Sequence, residues 1–221
     1  MNVLEAIENR HSVRSYLDKP IENSIVNELN QEIIKCNQEG DLHIQLFTNE
    51  PQAFSGFMAH YGKFTGVKNY IALVGKKSDN LEEKIGYYGE RLVLKAQMLG
   101  LNSCWVALTF NKGKCHASVD TNERLVCVLS IGYGATQGVP HKTKPLDRLY
   151  QTNIVEVPKW FEDGMKAVSL APTAMNQQKF MFTLDDNHSV SVKSTGGFYS
   201  NVDLGIVKYH FEIGSQKKLF N

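Results

Sequence analysis

Leu125-Val126-Cys127-Val128-Leu129-Ser130-Ile131-Gly132-Tyr133 reads as one continuous strand, rich in β-branched and large apolar residues and free of charge. Apolar residues on both of its faces put it inside a sheet, not at an edge. Working outward, Asn69 to Gly75 (Asn-Tyr-Ile-Ala-Leu-Val-Gly) is a second buried strand, and Ser103–Leu108 and His43–Thr48 are shorter ones. Helices separate them. Residues 2–9 carry Val3, Leu4 and Ile7 at helical spacing. Pro20-Ile21-Glu22 opens a helix with the apolar stripe Ile25, Val26, Leu29, Ile33 and Ile34, ended by a turn from Asn37 to Asp41. Residues 51–60 read as helical. Asn80-Leu81-Glu82-Glu83 is an N-cap with an acidic first turn, and Gly100 closes that helix. Residues 134–158, with three prolines and two glycines, read as a linker. Beyond it lie a helix near 159–170, strands near 179–193 and a helix near 201–216. The order is α+β without a clean βαβ repeat.

Composition removes several function classes. The chain has 221 residues, 42% hydrophobic and 21% charged, with net charge +1. That balance argues against a basic nucleic-acid surface and against a polybasic membrane patch. No basic-then-apolar leader is visible, and no apolar run approaches the roughly 20 residues of a membrane span. Cys36, Cys104, Cys115 and Cys127 form no Cys-x-x-Cys pair, and the seven histidines are scattered, so no metal is expected. Free thiols fit a reducing cytoplasm.

The chain also repeats itself. Residues 26–48 lie without gaps over residues 161–183. A helix ending Ile33-Ile34-Lys35-Cys36 falls over one ending Val168-Ser169-Leu170-Ala171. The strand Ile44–Thr48 falls over Lys179–Thr183, while the turns between differ. Gly86-Tyr87-Tyr88 and Gly197-Phe198-Tyr199 each precede a further helix. Chance likeness of two helix–turn–strand units is one reading; a duplicated half is the other.

Arg10-His11-Ser12-Val13-Arg14-Ser15-Tyr16 lies in a segment read as extended. Alternate side chains of such a segment point the same way, so Arg10, Ser12 and Arg14 share a face. Two guanidinium groups and a hydroxyl suit a phosphate. Pro140-His141-Lys142-Thr143-Lys144-Pro145 repeats the logic with two ammonium groups.

Together these residues resemble the FMN-dependent nitroreductase and flavin-reductase family. The resemblance implies a mixed, mainly antiparallel sheet flanked by helices. It matches Arg10, His11, Ser12 and Arg14 to the family's first FMN-contacting segment, and Lys142 and Lys144 to its C-terminal cationic pair. Leu99-Gly100-Leu101 followed by Asn102 to Leu108 matches the strand whose end, at Ala107 and Leu108, approaches flavin N5. The family's Pro-Ser/Thr-x-x-Asn-x-Gln motif normally follows the second helix. Here it stands in the second copy, as Pro172-Thr173-Ala174-Met175-Asn176-Gln177-Gln178, which makes Pro172, Thr173, Ala174, Asn176 and Gln178 candidate flavin contacts. In ordinary family dimers that motif comes from the partner subunit. The likeness is to the subfamily in which one chain imitates the dimer: residues 1–150 form an FMN-binding half, and 151–221 an abbreviated second half completing the site in one compact unit. The second copy has no Arg-x-Ser-x-Arg, so a single flavin per chain is expected, in a monomer or homodimer.

The implied chemistry is hydride transfer from NAD(P)H through FMN to nitroaromatic, quinone or similar acceptors by a ping-pong mechanism. No catalytic side chain is named. A flavin-binding sensor or carrier without turnover, and a flavin-free relative keeping only the fold, are the rivals. His11 is either a flavin contact or a surface loop residue, and Tyr87 and Tyr88 stay undecided. Trp105 and Phe110 either line the acceptor pocket or pack in the core, the second being the commoner case. Glu90 either approaches the ring or, more commonly, is a solvated partner of Arg91. Cys104 and Cys127 are read as inert core thiols.

Overall fold

The computed structural model describes residues 1–218. In chain order its elements are α1 (Val3–Asn9), α2 (Asn23–Gly40), β1 (Gln45–Phe47), α3 (Phe57–Tyr61), β2 (Asn69–Lys76), α4 (Leu81–Met98), β3 (Asn102–Val106), β4 (Glu123–Gly132), β5 (Tyr150–Thr152), α5 (Lys159–Ser169), β6 (Phe180–Leu184), β7 (Val190–Ser194) and α6 (Ser200–Ser215). The chain divides into two units. The first holds Asn9–Leu81 and Leu92–Pro140; the second holds Met1–Glu8, Glu82–Arg91 and everything from His141 onward.

The first unit is built on a four-stranded antiparallel sheet, β1-β2-β4-β3. The run from Leu125 to Tyr133 is the interior strand its apolar faces require, with β2 and β3 on either side. Asn69 pairs with Ile131 and Asn102 with Gly132, and one register irregularity sits between Leu73 and Val74. Tyr70, Ala72 and Val74 share a face of β2 and meet Phe54, Phe64, Val106, Phe110 and Val128 in one buried cluster. Its rings are tightly set: Phe47 stacks on Tyr70 at 5.0 Å and Phe54 meets Phe64 edge-on at 5.3 Å.

The second unit has a three-stranded sheet, β5-β6-β7, with β5 parallel and β7 antiparallel to β6. Phe161, Phe182 and Phe211 fill its core; Phe182 stacks on Phe211 at 5.0 Å, and Phe161 meets Phe211 at 5.5 Å. The unit's share of α4 crosses α6 at very short range. A Cβ on Gly205 would lie 1.9 Å from the Glu83 carbonyl, and one on Gly86 would lie 2.0 Å from that of Val202. Only two glycines permit that approach.

Three boundaries differ from the sequence reading. α2 runs on to Gly40, and the expected turn shrinks to Asp41, left-handed at φ 50, whose N–H returns to the Asn37 carbonyl. The helix expected over 51–60 is broken at Ser55-Gly56 into a 3-10 turn, Gln52–Phe54, and α3, because Gly56 sits at φ 116. The stretch read as linker contains β5 and a 3-10 turn, Leu146–Arg148.

Candidate functional site

In the first unit, the strip Arg10–Tyr16 is held extended by backbone bonds to three neighbours. Val13 N–H donates to the Ser103 carbonyl at 3.0 Å, and Ser12 bridges Ser103 in parallel. Thr65 N–H donates to Arg14 at 2.9 Å, and Tyr16 N–H returns to Thr65 at 3.0 Å. Leu17 and Ala135 complete the zipper with Tyr133 and Ser15. Gly138, at φ +72, lets its loop lie against the strip, where a Cβ would come within 2.7 Å of His11 Cβ. Tyr16 pins the strip from beneath. Its buried hydroxyl donates to the Val13 carbonyl at 2.8 Å and meets Ser130 Oγ at 2.9 Å. Burial, with Cys104 nearby, pushes that hydroxyl far above its ordinary range, so it stays a donor.

Along the strip Val13 and Tyr16 are buried while Ser12 and Arg14 are exposed, so the side chains do not follow strict alternation. Arg10 departs from the expected common exposed face and is only 3% exposed. All three candidate anion ligands nevertheless act on one buried group, the Cys104 thiol. Burial pushes that thiol up, while the Arg14 guanidinium, a hydrogen bond with the Ser12 side chain and the Arg10 guanidinium pull the other way. Arg14 also stacks over the Phe64 ring, 5.8 Å from its centre. Ala107 and Leu108 lie just past the end of β3, Ala107 half-buried and Leu108 exposed. Trp105 is half-buried and Phe110 belongs to the core.

In the second unit, the structure brings Lys142, Lys144 and the Pro172–Gln178 motif together. Asn176 Nδ2 and Gln178 Nε2 both donate to the Lys142 carbonyl at 2.9 Å. Lys144 N–H donates to Gln178 Oε1 at 2.9 Å. The Lys144 ammonium donates to the carbonyls of Gln177 and Gln178, at 2.9 and 2.8 Å. Lys144 therefore clamps the motif loop, with one ammonium N–H left over, whereas the Lys142 side chain is exposed. The motif's polar groups largely bond one another. Asn176 N–H and Gln178 N–H both turn onto Thr173, to its carbonyl and to Oγ1. Met175, Asn176 and Gln178 are left-handed, at φ 50, 54 and 46. Met175 stands out at 82% exposure, while Gln178 is buried.

Asp203, in the first turn of α6, anchors the other end of this loop and was not singled out from sequence. Its Oδ1 accepts Ala174 N–H at 2.9 Å and its Oδ2 accepts Gln177 Nε2 at 2.7 Å. Burial pushes its carboxyl up to about 6, against the downward pull of the Gln177 amide and the Ala174 N–H. The one available signal was an acid between Val202 and Leu204, followed by the apolar run Leu204–Val207. Asn102 was missed too: its side chain accepts Gly134 N–H at 2.9 Å and donates to Gln137, fixing the turn after β4.

One reading is corrected. Glu90 is fully buried, and His210 Nε2 meets its Oε1 at 2.9 Å while His210 Nδ1 faces the Ala167 carbonyl at 3.0 Å. A charged helix residue read as solvated is instead in the core, because α6 covers it. Tyr87 likewise donates to Glu212 at 2.5 Å; burial and that carboxylate push its hydroxyl well up.

A family model described as "Putative TM nitroreductase" matches residues 2–215. The chain belongs to this nitroreductase family. No curated protein matches it. Among solved structures, one described as a putative nitroreductase from Thermotoga maritima is 23% identical with TM-score 0.70, covering 97% of this chain and 83% of its own. Another, a putative nitroreductase in complex with FMN from Desulfovibrio desulfuricans, is 18% identical with TM-score 0.55 over 72% of this chain and 98% of its own. A third, described as a putative NADH dehydrogenase/NAD(P)H nitroreductase from Parabacteroides distasonis, is 19% identical with TM-score 0.54 over 68% of this chain and 98% of its own. These likenesses establish the family's mixed α+β fold, an antiparallel sheet flanked by helices. Among the described residues no helix is long and apolar enough to cross a membrane.

Proposed function

We propose that the chain is an FMN-dependent oxidoreductase that takes hydride from NAD(P)H and passes it to nitroaromatic, quinone or similar acceptors by a ping-pong mechanism. The observation that carries this reading is that Arg10, Ser12 and Arg14 sit on one backbone-held strip beside Cys104, in a member of the nitroreductase family. Two guanidinium groups, one over Phe64 and one buried, are the paired donors that suit a phosphate. That donor set fits the ribityl phosphate of FMN. His11 and Ser12 contact the cofactor from the same strip. The backbone N–H groups of Ala107 and Leu108 face the ring edge, where fixed dipoles favour the reduced, anionic form. In the second unit the candidate contacts are the exposed Lys142 ammonium, the remaining Lys144 N–H and the loop of Pro172, Thr173, Ala174, Asn176 and Gln178. Residues 151–221 act as the abbreviated copy of a partner subunit, a reading supported by the helix-then-strand order of α2–β1 and α5–β6. The bound flavin supplies the redox chemistry, and the protein supplies binding, orientation and electrostatics. Free cysteines at 36, 104, 115 and 127 support a reducing, cytoplasmic setting.

The test is purification followed by anaerobic mixing with NADH and NADPH. A yellow protein with a single flavin per chain, bleached by at least one nicotinamide and recoloured by a quinone or nitroaromatic, is expected. Bound flavin that neither nicotinamide reduces would leave the sensor or carrier reading. A colourless protein indifferent to added FMN would end the proposal.

A further inference from the structure

We propose that Asp203 is a positioning residue: its buried carboxylate holds the turn Met175–Gln178, left-handed at Met175, Asn176 and Gln178, in place through Ala174 N–H and the Gln177 amide. That this turn faces a flavin rests on the function proposed above; the grip on the turn does not.

The turn needs holding. Met175 and Gln178 carry a Cβ and sit in a backbone region that side chains disfavour, and such conformations persist only where the surroundings impose them. Its own bonds to Thr173 and Ala174 close the curl but do not fix where it points. Lys142 and Lys144 fix its C-terminal side, at Asn176 to Gln178. On the N-terminal side, Asp203 binds Ala174 directly, and it also orients Gln177, whose Nε2 donates to both Asp203 and the Phe198 carbonyl at 2.7 Å. Gly197, at φ +107, makes room for that amide: a Cβ there would lie 2.2 Å from Gln177 Oε1. Flipping the Gln177 amide would set its oxygen against the Phe198 carbonyl, so its orientation is fixed.

Asp203 itself is 4% exposed, and the groups that act on it are its burial, the Gln177 amide and the Ala174 N–H. The charged groups around the same helix are engaged elsewhere: Lys208 with Glu83, His210 with Glu90, Glu212 with Tyr87, and Glu82 with Asn201. Burying a carboxylate without a cation works against folding. What it delivers here is local, two charge-assisted bonds to one turn. Protonation removes half of that, because an Oδ2–H would face the Gln177 N–H as donor against donor. Against an opened turn that leaves Asp203 buried, the two bonds lower its pKa, so the grip weakens as pH falls through about 6 even though burial alone favours the protonated form.

Asp203→Asn reproduces the protonated shape at every pH. In apoprotein, hydrogen exchange at Ala174 N–H, corrected for intrinsic rates, reads the turn alone. Protection in the wild type should exceed that in Asp203→Asn about tenfold or more at pH 7.5, the low end for a bond to a charged group, and should match it at pH 5. The FMN dissociation constants of the two proteins should show the same ratio and the same pH dependence, the titration of the FMN phosphate cancelling between them. A ratio near unity at pH 7.5, or one that does not change with pH, overturns the proposal. If Asp203→Asn does not fold, wild-type protection at Ala174 without a midpoint near pH 6 overturns it equally. Absence of FMN binding with the exchange result intact would overturn only the function proposed above.

Discussion

Lys142 and Lys144 share a sequence pattern and differ in what their ammonium groups do. The Lys144 ammonium is spent on two backbone carbonyls of the motif loop, and Lys142 engages that loop only through its own carbonyl. Lys142→Ala should leave the fold intact and weaken FMN binding by about 1.5–3 kcal/mol, the usual worth of one charge-assisted contact. Its effect should shrink as salt rises. Lys144→Ala removes two bonds of the loop itself. It should cost about 1.5 kcal/mol of stability, roughly 3–6 °C in melting temperature for a chain of this size, as well as FMN affinity. Calorimetry on the apoproteins separates the two. Equal melting temperatures for both variants would contradict the division of roles. Spacing alone could not divide them, because it orders side chains on a face without saying which neighbour already occupies one.

At the scale of elements, the strip Arg10–Tyr16 depends on Tyr16, which supports it from the sheet side. Tyr16→Phe leaves the Val13 carbonyl and Ser130 without their buried donor. A loss of about 1–3 kcal/mol in unfolding free energy is expected, with weaker FMN binding as the strip carrying Arg10, Ser12 and Arg14 loosens. A denaturant midpoint unchanged from wild type would show that the backbone zipper alone suffices. The zipper's extended course was legible in the sequence, and so were the long elements: β2 and β4 from apolar content, and α2, α4 and α6 from periodicity and caps. β5 was not, since three residues give no period and its partner in β6 lies thirty residues on. The break before α3 was hidden because Gly56 looks like an ordinary residue until its φ is known. In the candidate site, the residue types were legible and their employment was not. Arg10, Ser12 and Arg14 were expected side by side, yet one is buried. Thr173, Asn176 and Gln178 were expected to face a ligand, and their side chains chiefly hold one another and the 142–144 segment.

Across the whole molecule, the second unit is assembled from segments far apart in the chain, and this sets what can fold alone. Its core helix α6 is buried along most of its length, much of it against residues 82–91. Gly86 and Gly205 set the contact distance. Tyr87 packs its ring on Tyr209 at 5.0 Å and donates to Glu212, Lys208 pairs with Glu83, and Glu90 meets His210 with both side chains fully buried. His210 Nδ1 donates to the Ala167 carbonyl, which turns Nε2 toward Glu90. A fragment of residues 141–221 lacks every one of these partners. Removing one member of a buried pair costs about 3–5 kcal/mol, comparable to the roughly 5–15 kcal/mol that holds a whole domain together, and the fragment also exposes the apolar face of α6. It should show no cooperative thermal transition and little dispersion in its amide NMR spectrum. Fusing residues 79–93 ahead of it through a flexible linker restores Gly86, Tyr87 and Glu90 and should bring back a measurable transition. Cooperative melting of the bare fragment would mean that β5, β6, β7 and α5 suffice to order α6. In that case the close crossing at Gly205 would be a consequence of the fold and not a condition for it.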